Sequence, residues 1–70
     1  MTDSKINYNM YRVARVKSFP SGEGYVALKD NTVIAGKTIF WVVGLDSNMK
    51  GHYAMFHEDQ LEDFSIYARH

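Results

Sequence analysis

The sequence predicts a mainly β, single-domain protein of 70 residues, and three features carry that prediction. Residues 37–43 (KTIFWVV) form an unbroken run rich in β-branched and aromatic side chains, which suits a strand buried on both faces. Clusters of glycine, proline and short polar residues at 18–24, 29–32 and 44–51 cut the chain into segments of strand length. Cysteine is absent while hydrophobic residues make up 46% and aromatic residues 14%, so rings and aliphatic groups must hold the core without disulfides or thiolate zinc. A domain of this length buries only roughly 60% of the surface its unfolded chain exposes, which leaves room for one thin core.

Residues 1–9 are expected to form a flexible leader and residues 10–70 the folded domain. Residues 10–17 (MYRVARVK) read as a half-exposed strand with a break in phase. Tyr11 and Val13 share one face with Arg15, while Ala14 and Val16 lie opposite, so a bulge or sharp bend is expected. Residues 18–24 (SFPSGEG) hold the only proline and two glycines and read as a loop in which Phe19 is exposed or folds back as a plug. Residues 25–28 read as a second strand, 29–32 (KDNT) as a tight turn and 33–35 as a short return strand before Gly36. The run at 37–43 is expected at the centre of the fold, with Trp41 in the core. Residues 44–51 (GLDSNMKG) read as a second loop, and 52–57 (HYAMFH) as the next strand, with Tyr53 also assigned to the core. Residues 58–64 (EDQLEDF) begin with acids and space Leu61 and Phe64 three apart, which predicts one or two helical turns with both side chains inward. Residues 65–70 fit a continued helix or an edge strand.

A strand, a long glycine-proline loop, a hairpin, a central strand, a second hairpin and an acidic turn follow one another across residues 10–64. This order, and especially the ending HYAMFHEDQLEDF, resembles the small SH3-like class that includes Tudor and KOW modules. The resemblance implies a five-stranded antiparallel barrel with a short C-terminal helical turn whose Leu61 plugs the barrel. The residues with which peptide-binding SH3 domains hold proline-rich ligands have no clear match, so the ligand class does not follow from the fold. A polar leader ahead of a compact domain without enzyme motifs is also similar in style to bacteriophage accessory proteins that inhibit host enzymes.

Formal net charge is zero, but residues 1–37 carry six cations against three acids and residues 38–70 two against five. The folded chain either presents opposed faces or neutralises itself by interleaving the halves. No catalytic constellation is legible. The SGEG loop lacks the Lys-Ser/Thr and helix of a phosphate cradle, and each serine falls in a loop or at an end. His52 and His57 lie five apart and so on opposite faces of a regular strand, which argues against a metal site with Glu58 or Asp59. No cofactor, metal or membrane partner is expected, and the cysteine-free chain without an apolar leader is expected to be cytoplasmic.

Protein binding is the leading expectation, such as docking on a host enzyme or nucleic-acid machine as its inhibitor. The candidate contacts are Glu58, Asp59, Glu62 and Asp63 with exposed Phe56 and Tyr67, the acids forming two rows on a short helix. The alternative is a nucleic-acid site built from Arg12, Arg15, Lys17, Phe19, Tyr25 and Lys29, which mixes cations with rings as stacking platforms do. Association with a second copy would hide the same rings.

Overall fold

The computed structural model describes residues 10–66, which form five antiparallel strands. They are β1 (Val13–Val16), β2 (Tyr25–Ile34), β3 (Lys37–Gly44), β4 (Tyr53–His57) and β5 (Leu61–Ser65), in the spatial order β4-β3-β2-β1-β5. The mainly β class is as expected; the leader at 1–9 and Tyr67 lie outside the described residues.

β1 keeps a regular register with β2, pairing Val13 with Ala27, Ala14 with Val26 and Arg15 with Tyr25. Ala14 and Val16 therefore face the core, and the expected irregularity falls on the neighbouring β5. The phase break at Arg15 has another explanation: the loop at residues 17–24 covers that side chain on the opposite face, leaving it 9% exposed.

β2 departs from the reading of a tight turn at KDNT. It runs unbroken for ten residues through that segment, with a register shift between Leu28 and Asp30 that makes Lys29 the extra residue of a bulge. Pairing with the strongly β-forming β3 overrides the local turn preference of Asp30 and Asn31. The chain reverses instead at Ala35 and Gly36, whose φ values of 53° and 79° give a two-residue hairpin with both central residues left-handed.

β3 buries Phe40 and Val42 completely and turns Trp41 to the opposite face, where it is 46% exposed. The expectation that Trp41 and Tyr53 belong to the core is thus corrected. Both side chains lie on the face away from it, because Val43 pairs with Tyr53 and Trp41 with Met55, one residue out of phase with the core-facing pairs Phe40–Phe56 and Val42–Ala54.

The expected helix at 58–64 is a 3₁₀ turn, Glu58–Gln60, followed by strand. Leu61 and Phe64 nevertheless both reach the core. Arg15 pairs with Glu62 and Val13 with Ser65, so β5 carries one extra residue at Asp63, whose φ is 56°. A bulge thus produces the three-residue spacing that reads as helical in sequence. The expected barrel is also corrected, because the sheet is open. Lys17 N–H donates to the Gln60 carbonyl at 2.9 Å and Val16 pairs with Leu61, so the chain leaving the turn is taken up by β1 and β4 remains an edge.

The core consists of Ala14, Val16, Val26, Phe40, Val42 and Leu61, with Phe19, Leu28, Met49, Ala54, Phe56 and Phe64 packed against it. The Phe40 and Phe64 rings lie 5.5 Å apart in a tilted pair, and Tyr11 meets Phe64 edge-on at 5.8 Å.

Candidate interaction surface

Alternate residues of four neighbouring strands build the outer face of the sheet. Val13 pairs with Ala27, Ala27 with Val43, and Val43 with Tyr53, so these four side chains form one row from β1 to β4. Trp41 and Met55 form a second pair beside its β4 end. Tyr53 is 67% and Met55 54% exposed, and with Trp41 they make an aromatic, sulfur-bearing patch without formal charge. A strand's side chains alternate by construction, so packing Phe40, Val42, Ala54 and Phe56 inward presents these three outward.

At the β1 end of the same row lies a depression of about 300 Å³ lined by Arg12, Val13, Ala27, Leu28, Lys29 and Leu45. Arg12 is brought there by the backbone bond from Leu28 N–H to its carbonyl, at 2.7 Å. Lys29 is aimed by the bulge in β2. Neighbouring loops are tied together nearby: the Asp46 carboxylate accepts the N–H groups of Gly24 at 3.0 Å and Tyr25 at 3.2 Å, and Ser47 Oγ donates to Glu23 at 3.0 Å.

The sequence candidates distribute unevenly over this framework. Arg12 and Lys29 meet at the depression, Tyr25 is partly exposed, and Lys17 is exposed away from it. Arg15 is withdrawn into a structural role and Phe19 packs on the core, so the six residues of the proposed nucleic-acid set do not share a surface. Among the acids, Glu58 and Asp59 sit on the 3₁₀ turn while Glu62 and Asp63 sit on β5, and the two helical rows do not form. Glu62 binds Arg15, with its Oε2 2.6 Å from Nη2, and Asp59 lies 3.7 Å from Lys37. Phe56 is half-buried against the core, contrary to its expected exposure. Among the described residues no group of three or more His, Asp or Glu is placed to hold a metal ion, and no helix is long and apolar enough to cross a membrane.

Trp41, Tyr53, Met55 and Leu45 escaped the sequence reading as surface residues. Alternation in HYAMFH separates Tyr53 and Met55 from Ala54 and Phe56, but does not say which pair faces water. No family model, curated protein or solved structure matches the chain.

Proposed function

We propose that the chain is a small binding module that docks on a larger protein through the outer face of its sheet. The observation that supports this most is the exposed set Trp41, Tyr53 and Met55, three large apolar side chains set side by side on β3 and β4. Isolated exposed apolar residues are ordinary on any surface, but a contiguous group that includes tryptophan and tyrosine has the composition of an interface centre. Paired strands fix the backbone that carries the rings, so docking on this face orders no loop.

We infer an SH3-like order of strands in an open sheet, without the closed barrel. In support stand the strand order β4-β3-β2-β1-β5, the long loop between β1 and β2, and the 3₁₀ turn immediately before β5. An SH3-like fold by itself implies no ligand.

The reading is tested by affinity capture from a lysate of the source organism, with and without nuclease, using the wild-type chain and a Trp41→Ser/Tyr53→Ser variant. A captured protein that survives nuclease and is lost with the folded variant is the expected result. Capture that depends on nucleic acid, or is indifferent to both substitutions, rejects the reading.

A further inference from the structure

The depression at the β1 end of the outer face combines two features. Val13, Ala27 and Leu45 supply an aliphatic floor, bordered by Leu28, whose side chain packs against the core, and the exposed Arg12 and Lys29 line it as well. Among the described residues neither cation takes part in an ion pair or side-chain hydrogen bond, whereas Arg15 and Lys37 have carboxylate partners. Its volume of about 300 Å³ matches the lower end of ligand pockets. Through Ala27 and Val43 its floor continues into Tyr53, three inter-strand spacings or roughly 14 Å away.

We propose that this depression seats an acidic, apolar peptide segment of the docked partner. An apolar side chain of the segment rests on Val13, Ala27 and Leu45, and adjacent carboxylates face Arg12 and Lys29. Neighbouring apolar residues of the segment cross Val43 toward Trp41 and Tyr53. The assignment rests on the docking reading and adds the partner's chemistry to it. Charge complementarity selects an acid, because two cations beside an apolar floor attract a carboxylate, and the planar arginine fork fits one well. The floor selects a peptide over a nucleic acid: no ring lines the depression to stack a base, and zero net charge offers little general attraction to a phosphate chain.

The test uses the intact, isotope-labelled chain and three probes: acetyl-Leu-Phe-Asp-Glu-amide, its Asn-Gln counterpart, and a hexathymidylate. The acidic peptide is expected to shift the amide resonances of Val13, Ala27, Leu28 and Leu45 saturably. Binding is expected to weaken about ten-fold for the Asn-Gln peptide and for an Arg12→Gln/Lys29→Gln variant of unchanged melting temperature. Equal binding of the neutral peptide, tighter binding of the oligonucleotide at these amides, or no shift at millimolar acidic peptide overturns the proposal. The two readings fail separately. A captured partner that depends on Trp41 and Tyr53 but not on Arg12 and Lys29 leaves the docking face and removes this pocket, whereas indifference to Trp41 and Tyr53 removes the docking face itself.

Discussion

The Arg15 guanidinium offers five N–H donors in a rigid fork, and the fold uses both ends of it. Nε and Nη2 donate to Glu62 at 3.1 and 2.6 Å, while Nη1 lies 2.8 to 3.1 Å from the carbonyl oxygens of Phe19, Pro20 and Glu23. One side chain thus fastens the loop at 17–24 and strand β5 to β1. A lysine cannot span both sets, so Arg15→Lys is expected to cost about 2 kcal/mol and Arg15→Ala about 3, measured by urea unfolding, with faster amide exchange in the loop. Reversing Glu62 to lysine sets two cations together and is expected to destabilise the fold, contrary to what a solvated acidic helix implies. Gly44 is constrained by space. A Cβ there would strike the backbone carbonyl of Met49, in a segment held by bonds from Gly51 N–H to Gly44 O and from His52 N–H to Met49 O. Gly44→Ala is therefore expected to lose at least about 2 kcal/mol in the same measurement.

At the scale of the element, β3 puts adjacent large rings to opposite uses. Phe40 is fully buried among both halves of the core, and Phe40→Ala is expected to cost about 3–5 kcal/mol, enough to unfold a domain this small. Trp41→Ala is expected to cost about 1 kcal/mol and leave a folded chain, as circular dichroism would show. In the native protein Trp41 should also be readily quenched by acrylamide, since nearly half its surface is open. The β2–β3 hairpin carries a second local prediction. Ala35 occupies a left-handed position that favours Asn or Gly, so Ala35→Asn is expected to stabilise by about 0.5–1 kcal/mol, or roughly 3–6 °C in Tm.

Across the whole molecule, the opposed charges of the two halves meet instead of separating. The ion pairs Arg15–Glu62 and Lys37–Asp59 each join a cation from the first half to an acid from the second, because antiparallel pairing folds the halves against each other. The exposed pair contributes little to stability, but the arrangement breaks up a uniformly acidic or basic face. The chain is accordingly expected to flow through heparin at about 0.15 M salt. Retention that falls steeply with added salt would favour a nucleic-acid partner instead.

Composition, turn residues and the 37–43 run sufficed for the mainly β class, the positions of β1, β3 and β4, and the loop at 18–24, because glycine, proline and β-branched residues act through local backbone sterics. Those local preferences could not identify the bulge at Lys29, the continuous β2 or the strand at 61–65. The first two depend on pairing with β3 across the hairpin and the third on β1, far away in sequence, and a bulge counterfeits helical spacing. Arg12 and Lys29 were legible as binding candidates by their chemistry, but Arg15 was indistinguishable from them until the loop and Glu62 closed around it. Tertiary pairing alone decided that Phe40 faces inward and Trp41 outward, since a strand apolar on both sides reads the same in either phase. One residue of register exchanges its core for its surface.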